Sequence, residues 1–124
     1  MTEVDDVVRP FFERLMALRP VDATYLGIHQ HDSRLPEGGR ADAEAERQLL
    51  ERLKTDLADV GTGLDAEVAR YFAEVSLFEL EQLRTGERMA QAGDVLGTGL
   101  FLLLARDFAP LEERMESIAA RLIL

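Results

Sequence analysis

Cysteine is absent from this chain, which excludes a disulfide framework and thiolate chemistry and fits a reducing compartment. Histidine is nearly absent. The only two, His29 and His31, lie in one short passage, and no His-Glu pair occurs anywhere. That removes the His-Glu-x-x-His arrangement, in which two histidines one helical turn apart bind zinc and the glutamate activates a water. It also leaves carboxylates such as Glu74 and Glu79 without the Glu-x-x-His pairs that di-metal helical bundles need on facing helices. No Gly-rich phosphate loop, Ser-His-Asp arrangement, repeat or low-complexity tract is visible, and the isolated Gly97-Thr98-Gly99 is too little for nucleotide binding. Long hydrophobic runs are missing too: residues 100–105 form the longest, far short of the ~20 residues that span a bilayer. The acidic opening Met-Thr-Glu-Val-Asp-Asp lacks the basic start and apolar core of a secretory signal. Positive charge is scarce, with 14 Lys plus Arg against 24 Asp plus Glu and a net charge of −10, which repels phosphate backbones and anionic lipid surfaces. The expectation is a cytoplasmic protein with neither nucleic acid nor membrane as partner.

What is present reads as helix. A chain of 124 residues, 47% of them hydrophobic, is one domain by size and long enough to bury a single core. The expected class is all-α, an irregular helical bundle of about five helices with one long non-repetitive loop over residues 19–40. Val4, Val7, Val8, Phe11, Phe12 and Leu15 outline a first buried face, in which Pro10 predicts either a start near Arg9 or a kink. Ala45, Leu49, Leu53, Leu57 and Val60 form the stripe of a second helix, from a start near Asp42 to a stop at Gly61-Thr62-Gly63, with a solvated charged face opposite. Val68, Tyr71, Phe72, Val75, Phe78 and Leu83 mark a third and central helix, capped by Asp65. After a polar connection over residues 85–94, residues 95–108 are apolar on nearly every face and predict the most buried helix. Gly97 and Gly99 within it point to close backbone approach or to a start nearer Gly99. Arg106 and Asp107 read as helix-end capping and pairing. Pro110 opens the last helix at its first position, Glu112 and Glu113 suit its N-terminus, and Leu111, Met115, Ile118 and Leu122 continue the buried stripe.

One passage lacks helical periodicity: Pro20-Val21-Asp22-Ala23-Thr24-Tyr25-Leu26-Gly27-Ile28-His29-Gln30-His31-Asp32-Ser33-Arg34-Leu35-Pro36. Its bracketing prolines push the residues before them out of the α region, and Gly27 can bend the backbone. His29, His31 and Asp32 make it the one cluster of metal-capable side chains. On extended backbone the two histidines would face one side, and Asp32 would add an oxygen ligand or orient an imidazole. A fourth ligand is missing, so His29, His31 and Asp32 are weak metal candidates only. Loop hydrogen bonding, with Asp32 paired to Arg34 and Tyr25 packed on the helices, is the expected use. No catalytic or cofactor-binding residue is assigned.

The run Pro-x-x-Ala-Thr-Tyr-Leu-Gly-Ile-His, followed by Asp-x-Arg-Leu-Pro, resembles the N-terminal signature of the bacterial DUF885 family. A second passage, Gly99-Leu100-Phe101-Leu102-Leu103-Leu104-Ala105-Arg106-Asp107-Phe108-Ala109-Pro110 with Glu112, Glu113, Arg114, Ala119, Ala120, Arg121 and Leu122, resembles that family's next recognisable segment. Full-length members resemble zinc-dependent hydrolases or metallopeptidases of the mostly helical kind, with a His-Glu-x-x-His-like motif much further along a far longer chain. At His31 this chain departs from the aromatic residue often found in the family. The resemblance implies that residues 1–124 are a single helical domain, the N-terminal scaffold segment of a longer protein. Zinc would belong to that parent, and this chain would hold no cofactor. The ending Leu122-Ile123-Leu124 fits an end covered by the remainder of the parent chain. The alternative is a self-contained helical interaction module, a homodimer joined to a second copy through the apolar C-terminal helix.

Overall fold

The computed structural model describes residues 3–84 and 92–123. Among these residues it is all-α, with six helices: α1 (Val4–Leu18), α2 (Pro20–Tyr25), α3 (Gly39–Leu57), α4 (Leu64–Phe78), α5 (Ala92–Ala105) and α6 (Leu111–Leu122). A π-helical turn over Glu79–Leu83 follows α4, and there is no strand among the described residues. The connection expected over residues 85–94 falls, for residues 85–91, outside the described residues. The fold divides into two compact units, one within Met1–Leu15 and Gly38–Met89, the other within Met16–Glu37 and Ala90–Leu124.

In the first unit α1 continues through Pro10 instead of starting at Arg9. The ring withdraws the donor that would have met the Asp6 carbonyl, a loss offset by burial of Phe11 and Leu15 on the inward face. Phe12, expected inside, is 38% exposed. The helix α3 buries Leu50, Leu53 and Leu57, with Val60 in the turn that follows; Ala45 and Leu49 are only half-buried. Its start precedes Asp42, because Gly38 and Gly39 take positive φ values of 75° and 80° and Asp42 Oδ2 accepts the Gly38 N–H at 2.7 Å. At its other end Arg70 of α4 donates to the carbonyls of Leu57 at 2.8 Å and Val60 at 2.6 Å, covering groups that the helix leaves without donors.

The expected central role of α4 is overturned. It packs on α3 through Ala66, Ala73 and Leu77, and the two alanines let the helix backbones approach. The larger stripe faces outward: Val68 is 58% exposed, Tyr71 69% and Phe78 52%. Phe72 keeps an edge-to-face contact with Phe11, ring centroids 6.1 Å apart. Asp65 lies in the first turn of α4, whose N-cap is Gly63.

In the second unit the expected loop over residues 19–40 is interrupted by α2. Pro20 breaks nothing there, because it occupies the first helical position, where its fixed φ suits the helix and no N–H is needed. The helix closes with N–H bonds from Ile28 to the Ala23 carbonyl at 2.8 Å and from Gly27 to the Thr24 carbonyl at 3.1 Å. This is a Schellman motif, and it requires the left-handed φ of 88° at Gly27.

Both α2 and α6 pack on α5. A Cβ built on Gly99 would stand 2.9 Å from Val21 Cγ2, so the close-approach reading holds at Gly99, whereas Gly97 has open space. Leu102 and Leu103 are buried, but Leu96, Phe101 and Leu104 are exposed; α5 has one covered side and is not enclosed. On α6 the expected stripe is again inverted. Leu111, Met115 and Leu122 are exposed, and Arg114 and Arg121 are buried in their place. Pro110 is the N-cap, giving its carbonyl to the Arg114 N–H at 3.2 Å.

These assignments separate by mutation. Leu57→Ala should cost about 2–5 kcal/mol in urea denaturation, the range for an aliphatic side chain with no exposed surface. Val68→Ala should stay within about 0.5 kcal/mol; the reverse order would restore the central helix that periodicity predicts.

Candidate functional site

The most elaborate polar arrangement lies in the second unit and is centred on Arg121, which is 2% exposed. Its Nε donates to the Arg34 carbonyl at 2.8 Å and its Nη1 to the Gly99 carbonyl at 2.6 Å. Its Nη2 reaches Thr24 Oγ1 at 2.8 Å and the Pro20 and His31 carbonyls at 3.3 and 3.4 Å. Three elements are thereby held by one fork of donors, the geometry that suits arginine to this task. Burial pushes the Arg121 pKa down, and the nearby Asp32 charge opposes the shift.

Thr24 is fully buried and lies at the second layer of this knot. Its hydroxyl has a single proton; Asp32 Oδ1, at 2.7 Å, is the nearer acceptor, and the Pro20 carbonyl is 3.0 Å away. Asp32 is 6% exposed, and its second oxygen is 2.9 Å from His29 Nδ1. A carboxylate only accepts, so this contact puts the proton on Nδ1. The His29 ring stacks on Phe108, centroids 3.6 Å apart and planes 9° from parallel. Arg121, Thr24, Asp32, His29 and Phe108 thus form one continuous chain from the interior to a part-exposed imidazole.

The metal candidates are placed differently from the extended arrangement. Residues 30–33 form a turn, with the Arg34 N–H on the His31 carbonyl at 3.1 Å. His29 turns to Asp32, while His31 Nδ1 accepts from Arg34 Nη2 at 2.8 Å. Among the described residues no group of three His, Asp or Glu is arranged to hold a metal ion. Asp32 pairs with His29 and Thr24 in place of Arg34, whose guanidinium also meets the Ala17 carbonyl at 3.1 Å. Tyr25 is 58% exposed and lies under the Arg106 guanidinium, 5.2 Å from its ring centre.

Two more arginines repeat the pattern. Arg106 donates to the Tyr25 carbonyl at 2.6 Å at the end of α2, so its capping role acts on another helix and not its own. Arg114 donates to the carbonyls of Leu104 in the last turn of α5 at 3.0 Å and of Ala109 beyond it at 2.8 Å, and also reaches exposed Asp107 at 3.4 Å. Hydrophobic periodicity passes over Arg114 and Arg121 because it treats arginine as solvent-facing. The signal that could have found them is their separation by two full helical turns on one face.

Chemically, the knot binds its own backbone. The Thr24 hydroxyl is held between acid and guanidinium with no exposed surface, so it is not a nucleophile, and no histidine adjoins it. Among the described residues no buried side-chain nitrogen or oxygen lacks a partner, and none of the helices described is long and apolar enough to cross a membrane.

Arg121→Met should cost about 3–5 kcal/mol, because it leaves several buried carbonyls without their donor and removes the cation whose charge faces buried Asp32. Gly99→Ala should cost about 1–3 kcal/mol through overpacking against Val21, despite the gain in helix propensity. Thermal or urea unfolding of each variant reads both effects. Comparison of the chain with protein-family models, with curated proteins and with solved structures returns no match.

Proposed function

We propose that this chain is the N-terminal helical scaffold segment of a DUF885-type protein, supplying architecture and no catalytic group to a zinc-dependent hydrolase. The observation that carries the reading is the convergence of the two passages on which the resemblance rests. Pro20, Thr24, His31 and Arg34 from the first meet Gly99 and Arg121 from the second at a single guanidinium. Residues of the shared pattern therefore have structural work: Gly27 closes α2, Gly99 admits Val21, and Arg106, Arg114 and Arg121 occupy carbonyls. Hydrolytic chemistry is assigned to a His-Glu-x-x-His-like motif elsewhere in the parent, with zinc as the parent's cofactor and the cytoplasm as its compartment.

The purified chain should contain no stoichiometric zinc by elemental analysis and should cleave no peptide; one zinc per chain overturns the scaffold reading. The gene decides the parent. A reading frame that runs on well past Leu124 into a His-Glu-x-x-His-like motif is expected, and a stop codon directly after Leu124 overturns it.

One observation favours a second reading, a self-contained module that dimerises through its C-terminal helix: Leu111, Met115 and Leu122 are 55%, 47% and 55% exposed on α6. It requires a dimer in light scattering that Met115→Glu dissociates, and a folded monomer removes it.

A further inference from the structure

The outward face of α4 belongs to the first unit and has no part in the Arg121 knot. Leu64, Val68, Tyr71, Val75 and Phe78 stand on it at alternating spacings of four and three, with exposures of 74%, 58%, 69%, 37% and 52%. Single exposed apolar side chains are ordinary, but a continuous row of this kind marks a contact surface. The spacing is that of a coiled-coil seam, in which the occupant is another helix. The opposite side of α4 is already committed to α3 through Ala66, Ala73 and Leu77, so the seam is a second, separate apolar face. Phe72 at its border is held by Phe11.

Charge decides what kind of helix fits. The positions beside the seam carry Asp65, Glu67, Glu74 and Glu79, all exposed, and none of them is paired with a cation among the described residues. Arg70, the one basic residue of α4, is turned away to the carbonyls of Leu57 and Val60. Both borders are therefore negative. Two copies of this face would set acid against acid, in chains that each bear a net charge of −10. A helix with lysine and arginine beside its apolar row would gain at every border position.

We propose that the seam of α4 docks a basic amphipathic helix of a partner protein, its apolar row against Val68, Tyr71 and Val75 and its cations against Glu67 and Glu74. Apolar burial supplies the affinity. The acidic borders supply discrimination, by rejecting acidic helices and a second copy of this chain.

The test uses the full chain and two synthetic helical peptides of about three heptads. Both carry the same leucine and isoleucine row; one is bordered by lysine and the other by glutamate. The lysine-bordered peptide should bind at least roughly tenfold more tightly, and its affinity should fall as salt rises from about 0.05 M to about 0.5 M. Tyr71→Asp should abolish binding with the helical circular dichroism unchanged. Glu67→Lys with Glu74→Lys, both at exposed positions, should reverse the preference between peptides and decides the matter even if the Tyr71 variant folds poorly. Equal affinity for the two peptides, no binding of either, or a dimer of the chain that Tyr71→Asp converts to monomer would each overturn the proposal.

Discussion

A guanidinium removed from water must find its hydration again in the protein, and the second unit is arranged so that Arg121 does. Taking an ion out of water costs several kcal/mol even after relaxation. The cost is met by backbone carbonyls drawn from α2, from the turn after it and from α5, and by a threonine hydroxyl that is itself tied to a carboxylate. Each partner is a directed acceptor, so the register of α2, the turn at residues 30–33 and the height of α5 are fixed together. An apolar side chain of equal volume would fill the space without fixing any of them.

The same device recurs at helix ends. Arg70 covers the Leu57 carbonyl that ends α3, Arg106 the Tyr25 carbonyl that ends α2, and Arg114 the Leu104 carbonyl in the last turn of α5. Carbonyls there lack intrahelical donors and carry the negative end of the helix dipole, so a cation satisfies both hydrogen bonding and charge. This use of arginine in the interior has a consequence outside it. With cations turned inward, the acidic excess falls on the exposed faces of α4 and α6, beside apolar rows that neighbouring helices leave uncovered.

Helical class was legible because every apolar row in the chain has a period near 3.6, and Leu53, Leu57 and Val60 were legible because α3 has only one apolar face. The same rule failed on α4 and α6 for a physical reason. It selects the row of largest residues, and α4 has two rows, of which the alanine-lined one allows closer approach. On α6 it ranks leucine and methionine above arginine as interior residues, which is right on average and wrong where carbonyls wait for a donor. Pro20 read as a breaker because a proline at the first position of a helix looks the same in sequence as one that ends it. Within the candidate site, the pairing of His29 with Asp32 lies three residues apart and was open to inspection. Phe108 and Arg121 come from far along the chain, and no local pattern connects them to Asp32.

Sequence separation also sets an order of events. The bonds that Arg121 makes to Arg34 and Pro20 span 87 and 101 residues, whereas Arg70 reaches Leu57 across 13. Closing the longer loops costs roughly 2 kcal/mol more in chain entropy, at about 0.6 kcal/mol per doubling, and contacts so distant form slowly. As the chain leaves the ribosome, α3 and α4 can pair while α6 is still unmade. Thr24 and Asp32 can pair with each other early, across eight residues, but the carbonyls and the hydroxyl oxygen that Arg121 will occupy stay hydrated until the helix bearing it arrives, so the interior of the second unit is completed long after that of the first.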